Sequence, residues 1–250
     1  MRHFVLAVLA TTIAVTPAFA GPVHVFGPGG PAPAMKEAAA TFSKMRGVPV
    51  EVVAGPTPEW IETARQTGDV IFSGSETMMT DLQTAMGDRI DATTITPLYL
   101  RVSNILVRPG NPKSIRGLAD LFKPGHHILV VNGAGQNGLW EDMAGRTGDI
   151  AKVRALHSNI ASYAKTSAEA KRTWITDTRL DAWIIWGIWQ KANPTLAESV
   201  RVEKKYRIYR DTGVGLTAAG KANPDAAAFV AWLTTPPAQR IFVKWGWIGK

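Results

Sequence analysis

The chain has 250 residues, with 28 lysines and arginines against 20 aspartates and glutamates, which gives a formal net charge of +8. Because 46% of the residues are hydrophobic and only 19% are charged, the chain can bury a core, and general disorder is excluded. The absence of cysteine excludes a disulfide scaffold, a cysteine-bound zinc ion and a thiol nucleophile. The positive charge favours an anionic partner, which could be nucleic acid, anionic lipid or a small anion, but it is equally compatible with a soluble basic surface that has no such partner.

The first twenty residues have the pattern of a secretory signal peptide. Arg2 and His3 precede an apolar run at 4–15, and residues 18–20 (Ala-Phe-Ala) form an A-x-A cleavage site. The apolar run is shorter than the ~20 residues that a membrane-spanning helix needs. We therefore expect cleavage after Ala20 and a mature, exported chain that does not span a membrane. Export argues against nucleic acid as the partner, and so does the lack of a basic run interleaved with aromatic residues.

Short apolar runs alternate with helical patterns along the rest of the chain. The strand Val23–Phe26 precedes a helix whose apolar residues recur with helical spacing and which stops at Gly47. A second strand, Val48–Val53, leads to Thr57 as the N-cap of a helix over Glu59–Gln66. Further strands are predicted at Val70–Phe72, Ser103–Arg108, Ile128–Val131 and Ala182–Ile185. The alternation predicts an α/β fold with mainly parallel sheets.

The dipeptide Asn-Pro occurs three times, beginning at Asn111, Asn193 and Asn223. Asparagine is a favoured N-cap, and proline fits the first helical turn because its missing N–H is not needed there. We interpret the three dipeptides as three helix starts and not as an internal repeat.

Four loops that follow strands are rich in glycine and small polar residues, and they lie at 29–30, 55–57, 73–75 and 133–138. Such loops expose backbone N–H groups, and a following helix N-terminus adds roughly half a positive charge. At the carboxyl edge of a parallel sheet the loops would converge on one crevice, where they would form a cradle for an anion. The candidate ligand-binding residues in these loops are Gly29, Gly30, Thr57, Ser73, Ser75, Gln136, Asn137 and Gly138.

Three motifs that could indicate an enzyme or a metal site lack their supporting residues. Gly133–Gly138 matches the G-x-G-x-x-G dinucleotide fingerprint, but no convincing strand ending in Asp or Glu follows it. Ser162–Lys165 matches the S-x-x-K of serine β-lactamases without the other two motifs of that family. His126 and His127 would point to opposite faces of a strand, so they cannot bind one ion. We predict no enzymatic activity, no metal and no cofactor.

Two extended segments divide the mature chain into two lobes. The segments near 96–101 and 206–213 are rich in polar and aromatic residues, and two crossings between lobes are what a hinge needs. We predict lobe I at 21–97 and 212–250 and lobe II at 98–211. Trp186, where a strand ends, is expected to form a wall of the crevice, because an indole N–H only donates. Arg210, beside the second crossing, is expected to face the ligand.

These segments, in this order, resemble the molybdate-binding branch of the type II periplasmic solute-binding proteins. The closest resemblance is to the accessory colonization factor C family. The similar segments are 27–38, 69–75, 98–101, 107–112, 138–143, 206–213, 224–233 and 241–247, and the resemblance covers almost all of the mature chain. It implies a two-lobe, type II periplasmic-binding-protein-like fold in which each lobe is a mainly parallel sheet flanked by helices. It further implies a monomeric periplasmic protein that closes over a small anion for import by an ABC-type permease.

The resemblance also implies which positions hold the ligand. Molybdate binders use serine hydroxyls after the first two strands, then a backbone donor and a tyrosine hydroxyl in the second lobe. By position, Gly30 and Thr57 fall at the serines, Asn137 falls near the backbone donor and Trp186 falls at the tyrosine. Because Gly30 has no hydroxyl and Trp186 is not a tyrosine, these departures argue against molybdate itself.

Other side chains are candidates to replace the missing donors, namely Ser73, Ser75, Tyr99, Arg101 and Arg210. Arginine forks suit bidentate oxyanions such as carboxylate or sulfate. The expected ligand is therefore an inorganic oxyanion, such as sulfate or molybdate, or a small organic carboxylate. A sensory or colonization-linked binder of the same fold is the alternative to transport, and the sequence does not separate the two.

Overall fold

A computed structural model describes residues 21–87 and 89–249, so the predicted signal peptide at 1–20 lies outside the described residues. The strands are β1 Val23–Gly27, β2 Val50–Ala54, β3 Val70–Phe72, β4 Thr96–Val107, β5 Ile128–Val131, β6 Ile160–Ala164, β7 Ala182–Trp186, β8 Glu198–Arg201 and β9 Tyr209–Leu216. The helices are α1 Ala32–Arg46, α2 Ile61–Thr67, α3 Glu76–Met86, α4 Leu118–Leu121, α5 Leu139–Gly145, α6 Ile150–Ser158, α7 Ser167–Thr176, α8 Ile188–Ala192, α9 Ala218–Ala222, α10 Pro224–Trp232 and α11 Pro236–Lys244. This alternation confirms the α/β class.

The strands form a mixed sheet in the order β2-β1-β3-β9-β4-β7-β5-β6, with β8 also paired to β4. Parallel pairing joins β1 to β2 and β3, and it joins β5 to β6 and β7. The central strands β4 and β9 are antiparallel to each other and to their outer neighbours. Two groups of parallel strands therefore lie on either side of an antiparallel pair. The sequence predicted mainly parallel sheets and did not predict this antiparallel pair.

Strand β4 changes its partners halfway along its length. Residues 96–102 pair with β9, whereas residues 103–107 pair with β7 and β8. Arg101 therefore stands almost at the exchange point, directly opposite Arg210 of β9. The segment 96–101, which the sequence predicts as extended, is the first half of this long strand.

Helix α1 shows how the hydrophobic pattern builds the core. Its apolar residues at the predicted spacing, including Met35 and Phe42, are buried, and the Phe42 ring packs edge-on against Phe229 of α10 at 5.2 Å. Burying each such side chain contributes about 1.5–3 kcal/mol. The helix ends at Gly47, whose φ of 73° lies in the left-handed region that favours glycine. Within the described residues, no helix combines the length and hydrophobicity needed to cross a bilayer.

The structure corrects the predicted helix start at Thr57. Thr57 is not an N-cap, because it begins a 3-10 turn (Thr57–Glu59), and α2 starts only at Ile61. The Trp60 indole Nε1 donates to the Gly55 carbonyl at 3.2 Å and so closes the loop over this turn.

Only the third Asn-Pro starts a helix as predicted. The Asn223 side chain accepts hydrogen bonds from the backbone N–H groups of Asp225 and Ala226, which caps α10. Asn111 instead occupies a turn with φ 44° and exchanges hydrogen bonds with the backbone of Ile115. Asn193 follows the end of α8, where a turn and no further helix begins.

Candidate anion-binding site

A cavity of about 400 Å³ lies among the loops that follow β1, β2, β3, β5 and β6, beside β4. The loop after β1 contributes Gly29 and Gly30, the loop after β2 contributes Thr57, and the loop after β5 contributes Gln136. The structure thus brings the four predicted loops to one place, although they are far apart in sequence. Arg101 of β4 also lines the cavity.

Arg101 is a buried cation, with only 3% of its surface exposed. Its Nη2 donates to the backbone carbonyl of Gly74, and more weakly to that of Gly135 at 3.4 Å. Its Cζ lies 4.4 Å from the centroid of the Trp186 ring, which gives a cation–π contact. Its Nε is buried without a hydrogen-bond partner. Among the described residues no carboxylate forms an ion pair with it.

The surroundings of Arg101 disfavour its positive charge. Burial lowers the pKa of Arg101 to about 9, and the nearby Arg210 cation acts in the same direction. The Asp211 carboxylate opposes these two effects but does not outweigh them. An anion in the cavity would supply the missing negative charge, so the site is electrostatically prepared for one.

Two indole N–H groups near Arg101 are also unsatisfied. Nε1 of Trp186 and Nε1 of Trp189 are buried with no acceptor in the described part of the chain. A Cβ atom at Gly30 would lie 3.3 Å from Nη1 of Arg101 and 3.8 Å from Nε1 of Trp189. The absence of a side chain at Gly30 therefore keeps open a space that two donors border.

Arg210 lies behind this site and has its own partners. Its Nη2 donates to the Asp142 carboxylate at 2.8 Å, and its Nη1 donates to the Asn137 carbonyl at 3.1 Å. Its Cζ lies 5.9 Å from the Trp186 ring centroid. The Asp142 carboxylate partly neutralises this second guanidinium, which fastens the loop after β5 to β9.

The sequence model of bacterial extracellular solute-binding proteins matches residues 23–248. The chain belongs to this family. A structure of PEB3 with L-phospholactate bound is 35% identical to it over 91% of this chain and 100% of PEB3, with a TM-score of 0.86. A structure of Peb3 from Campylobacter jejuni is also 35% identical, with the same coverage and a TM-score of 0.84. Among curated proteins, no match was found.

More distant structures share the fold of this solute-binding protein. The periplasmic molybdate-binding protein of Azotobacter vinelandii is 16% identical, with a TM-score of 0.67 over 91% of this chain and 99% of its own. The sulfate-binding protein SubI of Mycobacterium tuberculosis H37Rv is 19% identical, with a TM-score of 0.72 over 91% of this chain and 86% of its own. These neighbours confirm the type II periplasmic-binding-protein-like fold. The closer resemblance to accessory colonization factor C stays a prediction.

Of the candidate residues, Gly29, Gly30, Thr57, Arg101 and Gln136 line the cavity of the solute-binding protein. The others that the sequence suggests are not among the residues lining it, namely Ser73, Ser75, Tyr99, Asn137, Gly138, Trp186 and Arg210. Trp186 and Arg210 nevertheless act on the site through the Arg101 guanidinium. The Asn137 carbonyl holds Arg210, and Gly138, at φ 71°, is the residue before α5.

The hydroxyl groups of the remaining candidates are engaged within the fold. The Ser75 Oγ accepts from the Met78 N–H at 3.1 Å and caps α3. The Ser73 Oγ accepts from the Gly213 N–H at 3.3 Å. The Tyr99 hydroxyl donates to the Leu233 carbonyl at 2.6 Å, and burial raises its pKa to about 12. None of these three residues lines the cavity.

A fifth loop, which the sequence did not predict as part of the site, joins β6 to α7 and contributes residues 165–168 to the cavity. Thr166 caps α7 by accepting from the Glu169 N–H, and the Glu169 carboxylate accepts from the Lys165 N–H at 3.0 Å. This reciprocal arrangement resembles a capping box, whose Thr-x-x-Glu spacing is visible in the sequence. The side chain of Gln136 donates to Ser167, which joins this loop to the one after β5.

No metal is indicated by the geometry. The described side chains include no group of three or more histidine, aspartate or glutamate residues placed to hold an ion. Arg101 and the indole of Trp189, which both line the cavity, can supply positive charge and a hydrogen bond to a ligand there.

Proposed function

We propose that this protein is exported to the periplasm and captures a small anion there for uptake by an ABC-type importer. The family supports capture of a solute outside the cytoplasm. One observation supports an anionic ligand. Arg101 is a buried cation that lines the cavity, and it has no carboxylate partner among the described residues. A buried charge of this kind is costly unless an opposite charge compensates it.

We propose closure of two lobes as the mechanism. Residues 21–97 with 212–250 would form one lobe and 98–211 the other, with β4 and β9 running between them. Gly30 and Thr57 line the cavity from the first lobe, and Gln136 and Trp189 line it from the second. A ligand that touches both sides binds only when they are close, so it shifts the population toward the closed state. The net positive charge would attract the anion from a distance.

The neighbours suggest which anions to test. PEB3 carries L-phospholactate, and the more distant relatives are named as sulfate-binding and molybdate-binding proteins. The arginine fork at the cavity suits a carboxylate, a phosphate group or sulfate equally. A sensory or colonization-linked role would use the same binding step, and loss of anion uptake in a deletion strain would favour transport over it.

The test is thermal unfolding with a panel of L-phospholactate, phosphate, sulfate, molybdate and small carboxylates. At a concentration of one hundred times Kd, a ligand adds about 2.7 kcal/mol of stability. For a domain of this size we expect a rise in Tm of about 5–10 °C. The rise should fall to about a third or less in Arg101→Met and remain in full in Arg116→Met, because the Arg116 side chain is 86% exposed and lies outside the cavity lining. If no anion moves the Tm of the unaltered protein, the proposal fails.

A further inference from the structure

The cavity has a charged part and an apolar part that follow one another along α3. Arg101 contacts the carbonyl of Gly74, and the Gly74 N–H points to the sulfur of Met78 at 3.4 Å. Met78, Leu82 and Ala85 then line the cavity from one stripe of α3. At about 1.5 Å per residue, this stripe extends about 10 Å away from the guanidinium.

The other lining residues include both apolar and charged side chains. The loop at 56–58 contributes two prolines. Lys165 also lines the cavity, from the loop whose Ser167 accepts a hydrogen bond from Gln136. Asp81 of α3 is the remaining charged side chain that lines the described cavity, and a carboxylate would repel a second acidic group there.

The cavity is large for a tetrahedral oxyanion. Its volume of about 400 Å³ equals that of about thirteen waters at about 30 Å³ each. Sulfate or molybdate has five heavy atoms, so it would fill only a small part of this volume. A volume of this size with apolar walls and a few polar groups is typical of sites for organic molecules.

We propose that the ligand is an organic acid whose acidic group binds at Arg101 and whose hydrocarbon body lies along Met78, Leu82 and Ala85. The proposal rests on the proposed function, which it narrows to one class of anion. The acid group satisfies the donors at Arg101 and Trp189, and the hydrocarbon body fills the part of the cavity that a tetrahedral oxyanion would leave unfilled.

Isothermal titration of the mature protein with acetate, butyrate and hexanoate tests the idea, because these acids differ only in hydrocarbon length. Each buried methylene should tighten binding about fourfold. We therefore expect hexanoate to bind on the order of a hundredfold more tightly than acetate, and more tightly than sulfate or molybdate.

A substitution on α3 tests whether the hydrocarbon body of the ligand lies against this helix. Ala85→Phe fills the apolar part, so it should weaken hexanoate binding by at least about tenfold and leave acetate binding unchanged. Ala40→Phe, at an exposed position of helix α1, is the matched control and should change neither affinity.

The outcomes separate the two proposals. If sulfate or molybdate binds and affinity does not rise with chain length, the organic-acid inference is overturned while the anion-binding function stands. If neither the inorganic nor the organic anions bind, the proposed function itself is overturned. Should Ala85→Phe fail to fold, the chain-length series in the unaltered protein still decides.

Discussion

Replacing Arg101 with methionine should remove anion binding while changing the stability of the unliganded protein very little. Most substitutions at a side chain this deeply buried destabilise a protein by several kcal/mol. Arg101 differs because its charge is buried without an ion-pair partner in the described structure. Methionine is similar in length, carries no charge and adapts to irregular spaces.

Two opposing contributions give the expected magnitude. Burial lowers the pKa of Arg101 from the ordinary value of 12.5 to about 9. Taking an ion out of water costs several kcal/mol in a protein interior even after the surroundings relax, and the substitution relieves this cost. Against it stand the bond to Gly74, worth about 1.5–3 kcal/mol, a weaker bond to Gly135 of about 1 kcal/mol, and the contact with Trp186 of about 2 kcal/mol. The sums nearly cancel, so the unfolding free energy should change by less than about 2 kcal/mol.

Arg108 provides the control for this experiment. Its guanidinium donates to the carbonyls of Leu180, Trp174 and Asp177 at 2.9, 2.9 and 2.6 Å, and it lies 3.8 Å from the Trp174 ring centroid. Arg108→Met should therefore cost at least about 3 kcal/mol.

The assay is urea unfolding without ligand, followed by titration with the tightest anion of the panel. Arg101→Met should unfold near the urea midpoint of the unaltered protein and should bind the anion at least about thirtyfold more weakly. A loss of more than about 3 kcal/mol in Arg101→Met would show that this arginine serves the fold, and the reasoning from its unpaired charge would be refuted.

Three further substitutions test local features of the fold by thermal unfolding. The pKa of Glu37 is lowered mainly by its hydrogen bond from Lys244, so its contribution is present above the ordinary value of 4.5 and is lost as the pH falls through the lowered value. Glu37→Gln should therefore lower the Tm at pH 7 by an amount equivalent to up to about 1 kcal/mol, and the difference should shrink in acid. Asn223→Ala removes the cap of α10 and should lower the Tm by about 2–4 °C, whereas an unchanged Tm would mean that this cap is dispensable. The Cβ atom that Gly47→Ala adds would have no atom within 4 Å, but the alanine would have to adopt φ of 73°. We therefore expect a similar decrease in Tm, caused by backbone strain alone.

Much of the fold could be predicted because its signals are local. The strands β3 and β5 coincide with apolar runs bounded by turn residues, and α1 coincides with its helical spacing and its glycine stop. The Asn-Pro dipeptides show that a local sequence pattern does not always determine the local structure. Asn223 and Asn193 have the same preceding residues, Lys-Ala, but the Asn193 side chain accepts from Lys171 at 2.6 Å and donates to the Trp189 carbonyl at 2.9 Å. Contacts with an element 22 residues away leave it unavailable as a cap.

The site was less predictable because the same sequence pattern serves two purposes. A serine after a strand can hold an anion or cap the following helix, and Ser75 caps α3. Only the family resemblance points to Arg101 as a ligand-binding candidate, because nothing in its neighbouring residues indicates that it is buried. Its burial depends on β4 pairing with β9, whose residues lie more than one hundred positions later. Hydrophobic periodicity contains no information on that pairing.

The position of Arg101 links the charge to the proposed closure. Gly74 follows β3 in one group of parallel strands, Gly135 follows β5 in the other, and Nη2 of Arg101 reaches the carbonyls of both. If the two groups move apart about β4 and β9, at least one of these bonds must break, and the cation then keeps fewer of its acceptors. An anion that accepts hydrogen bonds from Arg101 would offset the loss of these carbonyl acceptors. It can do so next to both loops only when the loops are close to each other. If the proposed closure occurs, the unfavourable burial of this one arginine would make the closed arrangement depend on the ligand, so that the loaded state would differ from the empty one.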